Sequence, residues 1–407
     1  MPRRILPVLV APLLAGPAMA QGAVGIATRV DRPVAVHAEG EAAPGRALSP
    51  ETPVRIASVS KVVVALAVHR LAEAGRLSLD DPVSAHLGWA LRHPAFPQAP
   101  ITIRHLLMHR SGLSDAGGYI FPLGTRPRDR LGAASFGPHP PGHAFDYANI
   151  GFVILGEMIE ALTGQRFDVA IEALVLAPLG LRACFNWSRC PEGFAETGAP
   201  LWRKATSSEG PWNPEGPWIA QIDADGARPA NGCPVLLAEA QSCDALDAYV
   251  PGTNGGLFSP QGGLRIPVAE LGKLARVLLA NDGSFLAPET IDSLFDARPT
   301  GPMGSSEESD PQFMQLWSPG GLHCLSGTGA PGGDQPLSPR PARWCGHAGE
   351  AWGLRSGLWI DRAAGLAYAY AITGTAADPA TTPGRVSRFH PDEERILAIL
   401  ASDGLAD

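Results

Sequence analysis

A serine and a lysine three residues apart are the first residues in this sequence whose types and spacing suggest chemistry. They lie in Ser58-Val-Ser-Lys61, at the start of an apolar stretch with helical spacing. On a helix, positions i and i+3 share a face, so the Lys61 amine can approach the Ser58 hydroxyl. A serine hydroxyl needs a base, and a lysine kept neutral by desolvation can be that base. The pair predicts a nucleophilic Ser58; an exposed serine beside a solvated lysine is the alternative.

Two further triplets contain residue types that acyl transfer uses. Tyr147-Ala-Asn149 precedes an apolar helical segment, where the tyrosine can relay a proton and the asparagine can donate to a substrate carbonyl. Asn149 is equally suited to be the N-cap of that helix. In His347-Ala-Gly349, strand alternation puts Cys345, His347 and Gly349 on one face, and the glycine would let a substrate backbone approach. Taken alone, His347 is more typical of a surface histidine.

In this order, Ser-x-x-Lys, Tyr-x-Asn and His-x-Gly resemble the motifs of the serine β-lactamases and penicillin-binding proteins. The middle motif is similar to that of the branch with class C β-lactamases, DD-peptidases and related esterases. The flanking segments agree, and they begin at Arg55 (RIASVSK), Leu77 (LSLDDPV), Ile101 (ITIRHLLMHRSGL), Tyr147 (YANIGFVILG) and Gly262 (GGLRI). The resemblance runs from about residue 25 to about residue 400.

The resemblance implies a catalytic role for three matching residues. Ser58 would be acylated by the substrate. Lys61 and Tyr147 would share the general-base and general-acid work. The reaction would need no cofactor and no metal, and the substrate would be a small molecule or a peptide.

The resemblance also implies how the substrate is held. Asn149 would orient its acyl part, and His347, with Gly349 on the same strand, would lie beside its carboxylate or its leaving group. The oxyanion hole would consist of the backbone N–H groups of Ser58 and Glu350. Two fixed donors of this kind lower the reaction barrier substantially.

Some residues differ from the family pattern, and these differences help to predict which class of substrate the protein cleaves. His347 replaces the lysine common in β-lactamases, and Met108 and Arg110 stand where threonines are frequent. Glu350 adds a charge that can repel a substrate carboxylate. We therefore predict an exported serine hydrolase acting through an acyl-enzyme on a peptide, amide or ester bond, similar to DD-peptidases, D-aminopeptidases or esterases. A β-lactamase, or a non-catalytic protein binding cell-wall peptides on the same fold, is the alternative.

The elements that must position these residues follow from periodicity. It predicts helices over 58–74, 104–109, 149–162, 267–281 and 391–402, and strands over 23–30, 34–37, 343–349, 353–360 and 365–373. Strands at both ends indicate an α/β part over about 21–75 and 310–407, with a mainly helical part inserted over about 76–309. With the resemblance, this predicts a β-lactamase/transpeptidase-like fold, an antiparallel sheet flanked by helices. Segment 184–250 is predicted to be a disulfide-stapled excursion over the cleft.

Residues 1–20 have the pattern of a cleavable signal peptide. Two arginines, a short apolar run and Ala18-Met19-Ala20 predict a periplasmic or secreted protein that begins near Gln21. No later stretch has the length of a transmembrane helix. The net charge of −8 becomes −10 when two arginines and no acids are removed, which argues against a nucleic-acid partner. Nothing in the sequence indicates an oligomeric state.

All six cysteines follow the predicted signal peptide, as expected for an oxidising compartment. Local pairing would join Cys184 to Cys190, Cys233 to Cys243 and Cys324 to Cys345. It is one of fifteen connectivities, and buried free thiols are a further alternative.

Other patterns are weaker. His105 and His109 have the i, i+4 spacing of two metal ligands, but no third ligand suggests itself. Residues 327–332 match Gly-x-Gly-x-x-Gly, yet they include a proline and open no helix, so they predict a loop. The sequence contains no Gly-x-Ser-x-Gly, the nucleophile motif of α/β-hydrolases.

Overall fold

The centre of the fold is a large sheet. The structure, a computed structural model, describes residues 22–43, 45–207, 210–221, 243–306, 308–327, 332–337, 343–378 and 381–404. Its strands are β1 (Gly22–Thr28), β2 (Pro33–Ala43), β3 (Arg46–Ala47), β4 (Pro53–Arg55), β5 (Cys184–Phe185), β6 (Leu201–Lys204), β7 (Trp218–Gln221), β8 (Leu264–Pro267), β9 (Arg298–Pro299), β10 (Leu316–Trp317), β11 (His323–Cys324), β12 (Cys345–Ala351), β13 (Leu354–Asp361), β14 (Leu366–Ile372) and β15 (Gly374–Thr375).

Helices cover both faces of this sheet and form a separate layer beside it. They are α1 (Ser60–Glu73), α2 (Ser84–Leu87), α3 (Ile103–Leu107), α4 (Asn149–Thr163), α5 (Phe167–Ile171), α6 (Phe194–Thr197), α7 (Val268–Ala280), α8 (Pro288–Leu294) and α9 (Pro391–Gly404). α4 contacts α1, α2, α3 and α5, so the helical layer is built around it.

The two ends of the described chain meet in the middle of the sheet. The nine strands follow the order β3-β2-β1-β14-β13-β12-β11-β10-β9, and all neighbours are antiparallel. The N-terminal strand β1 lies against β14, with Gly25 opposite Tyr370. The predicted antiparallel sheet flanked by helices is therefore confirmed.

Alternation along β1 explains why both faces of the sheet are covered. Val24 and Ile26 belong to the core cluster that includes α1 and α7. Gly25 points to the other face, where a Cβ on it would lie 2.8 Å from Leu400 of α9. Successive residues of a strand face opposite sides, so this fully buried strand needs an apolar helix on each side.

Two elements of the segment that is predicted to be mainly helical pack with the main sheet. We placed 76–309 in the helical part, yet α7 packs on β1, β13 and β14, and β9 is an edge strand of the main sheet. Apolar periodicity identified the α7 helix correctly but does not say which surface the helix covers.

Two segments also contain more β-strand structure than the sequence pattern predicts. Strand β2 runs to Ala43 rather than ending near residue 37, because it pairs with β1 as far as Gly40 and then with β3. In the 184–250 excursion, β6 and β7 form an antiparallel pair, and β6 pairs in parallel with β15 beside the main sheet. Such long-range pairing has no local sequence signal.

Two of the expected disulfides lie within the described residues. Cys184 is bonded to Cys190, and Cys324 to Cys345 across the adjacent strands β11 and β12. The Cys233–Cys243 pairing lies outside them, as does the predicted signal peptide, residues 1–20. No described helix has the length and hydropathy needed to cross a membrane.

Strand β12 lies unusually close to the segment that leads into α1. A Cβ on Gly349 would be 2.4 Å from the carbonyl oxygen of Ile56 and 2.3 Å from the hydroxyl of Ser356. Ser356 itself donates to that carbonyl at 2.9 Å. Only glycine allows this approach, because real Cβ contacts are longer.

Replacing Gly349 with alanine tests this packing. We expect Gly349→Ala to lower the free energy of unfolding by about 1–3 kcal/mol, because backbone atoms must move to admit the methyl group. Urea unfolding followed by circular dichroism measures the change. Gly132→Ala is the matched control, since a Cβ there meets nothing within 4 Å. Equal unfolding midpoints for Gly349→Ala and the unmodified protein would contradict the close packing.

Candidate active site

Ser58 lies on a strained turn just before α1. It belongs to a 3-10 turn over Ala57–Val59, so the predicted helix begins two residues later than expected. Ala57 has a φ of 44°, which is costly for a residue with a Cβ. The Ser60 hydroxyl holds the turn, because it donates to the Ala57 carbonyl at 2.6 Å and accepts from Leu264 N–H at 3.0 Å. Strand β8 thus fixes the position of Ser58.

The amine of Lys61 is fully buried and contacts three oxygen atoms. Its Nζ lies 2.9 Å from Ser58 Oγ, 2.8 Å from Asn149 Oδ1 and 2.7 Å from the Gln261 carbonyl oxygen. The amide oxygen and the carbonyl oxygen can only accept hydrogen bonds, whereas the hydroxyl can also donate. A neutral amine, with two N–H groups and one lone pair, therefore satisfies all three contacts when its lone pair faces Ser58.

The electrostatic surroundings of Lys61 make this neutral form accessible. Desolvation lowers its pKa to about 7, and the negative fields of Glu308 and Asp115 keep it from falling further. A buried ammonium loses hydration that its neighbours replace only in part. The amine therefore changes protonation near neutral pH, as a general base should.

Tyr147 approaches the same hydroxyl from another side. Its phenol oxygen lies 2.9 Å from Ser58 Oγ, and its ring stacks on His109 at a centroid distance of 4.2 Å. Burial raises its pKa well above the ordinary value. Tyr147 consequently keeps its proton and donates to Ser58, so of the two residues Lys61 is the one suited to be the base.

Asn149 does not cap helix α4, contrary to the alternative drawn from its sequence position. Ala148 is the N-cap, and Asp115 satisfies the helix start by accepting from Asn149 N–H at 2.7 Å and Ile150 N–H at 2.9 Å. Asp115 also accepts from Asn149 Nδ2 at 3.0 Å. The amide is thereby oriented with its oxygen towards Lys61 Nζ. Sequence reasoning missed Asp115, because its partners Asn149 and Ile150 lie 34 and 35 positions away in the sequence.

A second acidic residue that sequence reasoning missed reaches the site on the loop before β10. The carboxylate of Glu308 lies 3.3 Å from Asn149 Nδ2. Its neighbour Ser309 accepts from Tyr147 N–H at 2.9 Å, and Asp146 accepts from Ser306 N–H at 2.8 Å. The only local signal was a run of polar residues, which is ordinary for a surface loop.

His347 is buried, so the surface-histidine alternative is wrong. It is 2% exposed, and its ring lies edge-on to Trp317 at 5.4 Å and tilted to Tyr147 at 6.2 Å. Burial and the charge of Lys61 hold its pKa well below the ordinary value. Its Nε2 has no hydrogen-bond partner among the described residues. His347 therefore presents a neutral ring nitrogen beside the reacting residues.

The structure gives Gly349 and Glu350 different surroundings from those expected. The α-carbon of Gly349 faces Ile56 and Ser356 rather than open space, so the glycine is required for packing against the Ser58 turn. The Glu350 carboxylate forms an ion pair with Arg355, which also pairs with Glu393 at 3.0 Å. The packing places β12 beside Ser58, as an oxyanion hole from Ser58 and Glu350 N–H requires.

The described part of the 184–250 excursion borders this edge. Trp352, in the turn after β12, donates from Nε1 to the Ile219 carbonyl at 3.3 Å. Arg203 stacks on the Trp352 ring, with its guanidinium carbon 3.7 Å from the centroid. Gln221 accepts from Arg55, three residues before Ser58, at 3.3 Å. These described residues of the excursion thus pack beside the end of β12 and the segment before Ser58.

His105 and His109 do not form a pair of metal ligands on one helical face. Helix α3 ends at Leu107, and His109 adopts a φ of 52° beyond it. His105 Nδ1 accepts from Thr102 N–H, whereas His109 Nδ1 accepts from Ala148 N–H. Arg110 also has a structural role, since it donates to the carbonyls of residues 142, 143 and 300.

Several known proteins are similar to this chain in sequence or in fold. Over 194 residues it is 38% identical to esterase EstB of Burkholderia gladioli, covering 43% of this chain and 49% of that protein. Over 187 residues it is 32% identical to penicillin-binding protein 4 of Amycolatopsis lactamdurans, covering 41% and 48%. The matches span about half the length of these relatives. D-amino acid amidase from Ochrobactrum anthropi SV3 has a similar fold, with a TM-score of 0.63, 20% identity and 94% of each chain covered.

A family model extends this similarity over most of the sequence. The model described as Beta-lactamase matches residues 13–388. Its span includes the Ser58 turn, the start of α4 and strand β12. The chain therefore belongs to the β-lactamase family, the serine hydrolases that include penicillin-binding proteins and related esterases.

Proposed function

We propose that this protein is an exported serine hydrolase that forms an acyl-enzyme on Ser58 and cleaves a peptide, amide or ester bond. The observation that carries the proposal is the double contact to the Ser58 hydroxyl. Lys61 Nζ and the Tyr147 phenol oxygen each lie 2.9 Å from Oγ. One is an amine that loses its proton near neutral pH, and the other is a phenol that keeps it.

In the acylation step, neutral Lys61 accepts the Ser58 proton while Oγ attacks the substrate carbonyl carbon. The carbonyl oxygen becomes an oxyanion, held by the N–H groups of Ser58 and Glu350. The leaving group departs with a proton from Tyr147, which regains one from the Lys61 ammonium. Asn149 Oδ1 is bound to Lys61 and its two Nδ2 N–H groups face Asp115 and Glu308, so a hydrogen bond from Asn149 to the acyl part replaces the longer contact, the one to Glu308. The products are an ester on Ser58 and a neutral alcohol or amine.

Deacylation repeats these roles with water as the nucleophile and Ser58 Oγ as the leaving group. Lys61, again neutral, accepts a proton from water, whose oxygen attacks the ester carbon in the same oxyanion site. The Ser58–acyl bond breaks, and Oγ recovers a proton through Tyr147 or Lys61. No group other than these side chains and water is needed to balance the protons.

The surroundings of the site support a peptidase or esterase more than an efficient β-lactamase. A penicillin presents a carboxylate near its scissile bond, and a neutral His347 supplies no charge to bind it. Esterase EstB, one of the relatives above, has by its name one of the two favoured activities.

Export is the part of the proposal supported by the sequence pattern of residues 1–20 and by two disulfides. Disulfides are typical of periplasmic and secreted proteins. The intact mass of the secreted protein would show a chain that begins near Gln21.

Covalent labelling tests the nucleophile. We expect a fluorophosphonate to modify Ser58 of the folded protein and Ser58→Ala to remain unlabelled, because the attacking oxygen is then absent. Peptide mapping by mass spectrometry identifies the site. Parallel labelling with a fluorescent penicillin separates the substrate classes.

Each outcome of this labelling experiment favours a different function. Labelling of Ser58 by both probes favours a penicillin-recognising peptidase or a slow β-lactamase, and fluorophosphonate labelling alone favours an esterase or D-peptidase. If neither probe modifies folded protein, the acyl-enzyme mechanism fails and the non-catalytic binding protein becomes the leading explanation.

The pH dependence tests Lys61 as the base. Only the neutral amine accepts a proton, so kcat/KM should rise as the pH passes about 7. Glu308 raises the pKa of Lys61, so the neutral Glu308→Gln should shift this acidic limb to lower pH. The measurement is kcat/KM against pH for a substrate whose charge is constant.

Glu289→Gln is the matched control for charge. Glu289 is an exposed carboxylate in the first turn of α8, a helix without site residues, and its removal changes the net charge equally. An acidic limb that stays in place in Glu308→Gln, or shifts equally in both variants, would contradict the coupling of Glu308 to Lys61.

A further inference from the structure

His109 holds the backbone on both sides of Tyr147. Its carbonyl oxygen accepts from Asp146 N–H at 2.7 Å, and its Nδ1 accepts from Ala148 N–H at 3.1 Å. Between these two hydrogen bonds its ring stacks on the Tyr147 ring, with 4.2 Å between the centroids and 25° between the planes. A single residue therefore fixes the chain before and after the tyrosine and also covers its ring.

The backbone of His109 is strained in the conformation that makes these contacts. Its φ of 52° lies in the left-handed region, which is unfavourable for a residue with a Cβ. Its own N–H donates to the Leu106 carbonyl at 3.2 Å, so the end of helix α3 anchors it. Strain held by the surrounding structure is concentrated at functional sites. The position of His109 beside Tyr147 fits that pattern.

Only the neutral form of His109 can accept the hydrogen bond from Ala148. In the charged ring both nitrogens carry protons, and neither can accept. Burial lowers the pKa of His109 well below its ordinary value, and the charge of Lys61 lowers it further. The proton of the neutral ring is then on Nε2, which has no hydrogen-bond partner among the described residues. His109 therefore does not take up the proton that Lys61 and Tyr147 exchange.

The placement of Tyr147 matters for one half of the proposed acylation step. Its phenol oxygen lies 2.9 Å from Ser58 Oγ, and it is the group that protonates the leaving group. A general acid must lie within hydrogen-bond reach of the atom it protonates, so a small displacement of its ring is costly. Removal of the Ser58 proton depends instead on Lys61, which α1 positions.

We propose that His109 is a positioning residue for proton donation by Tyr147, so that its loss impairs the departure of basic leaving groups more than the attack by Ser58. This inference rests on the proposed function and adds a residue to its mechanism. Attack uses the contact between Lys61 and Ser58, which does not include His109. Departure of a basic leaving group uses the phenol proton, whose position His109 controls.

Two esters of one acid test this inference. p-Nitrophenyl butyrate and ethyl butyrate form the same butyryl-enzyme and differ only in the leaving group. p-Nitrophenolate departs as a stable anion, whereas ethoxide must be protonated as it departs. The readout is the ratio of kcat/KM for the ethyl ester to kcat/KM for the p-nitrophenyl ester, measured by titration of the released acid.

Two variants of His109 give the comparison. His109→Ala removes both the ring and the Nδ1 acceptor, and we expect it to lower the ratio about 10- to 100-fold, as for a misplaced general acid. His109→Asn keeps an acceptor close to the backbone and tolerates the positive φ, so it should recover part of the ratio. The rate of Ser58 labelling by a fluorophosphonate should fall less than the ethyl ester kcat/KM, because fluoride departs without a proton from Tyr147.

His93→Asn is the matched control. His93 is also buried, and its Nδ1 likewise accepts a backbone N–H, that of Ala95 at 3.2 Å. Its ring packs against Phe96 and Phe136 rather than Tyr147. The variant loses the same kind of group from a different part of the protein, so it should keep the ratio of the unmodified protein.

The failures of the two proposals can be told apart. If His109→Ala keeps the ratio, lowers both esters and the labelling rate equally, or matches His93→Asn, His109 does not position the proton donor and the hydrolase proposal stands. The inference is also wrong if His109→Asn recovers nothing, or if labelled, unmodified protein does not cleave ethyl butyrate. If Ser58 of the unmodified protein is not labelled at all, the proposed function fails and this inference fails with it.

Discussion

The contacts of one buried amine organise this site. Lys61 Nζ is buried, contacts three oxygen atoms and lies 5.4 Å from the centroid of the Phe152 ring. A buried ammonium is costly, and neighbouring oxygens recover only part of the lost hydration. The three partners come from the turn before α1, the start of α4 and the segment before β8. The fold must bring these together for Lys61 to be buried, and burial in turn makes it a base near neutral pH.

Close packing holds the nucleophile in a conformation that the local chain disfavours. The positive φ of Ala57 is compensated by hydrogen bonds from Ser60 to the turn and to β8. On the other side, Gly349 lets β12 press against the same turn. Backbone strain of this kind persists only where contacts with the surrounding structure hold the backbone in the strained conformation. The strained position coincides with the residue proposed to react, as expected for a preorganised site.

Proteins with this family fold catalyse several different reactions, so the charges around the active site must determine which substrate this protein accepts. Here Asp115 and Glu308 lie on the side of Asn149, and the buried neutral His347 lies on the other. Next to β12, Arg355 pairs with both Glu350 and Glu393. A neutral His347 offers no charge to an anionic leaving group, and unmatched charges are costly in a partly desolvated site.

Local spacing was enough to predict the three motifs and the main helices, because those features depend on side-chain periodicity along short segments. The antiparallel sheet was predicted only with the help of the family resemblance. Local spacing could not predict Asp115, Glu308 or the Gln261 carbonyl, whose contacts with Asn149 and Lys61 join residues 34, 159 and 200 positions apart. Nor could it show that His347 is buried or that Gly349 is needed for packing. The sequence by itself determined which groups can react; only the tertiary structure decided their protonation and orientation, because burial and long-range hydrogen bonds control both.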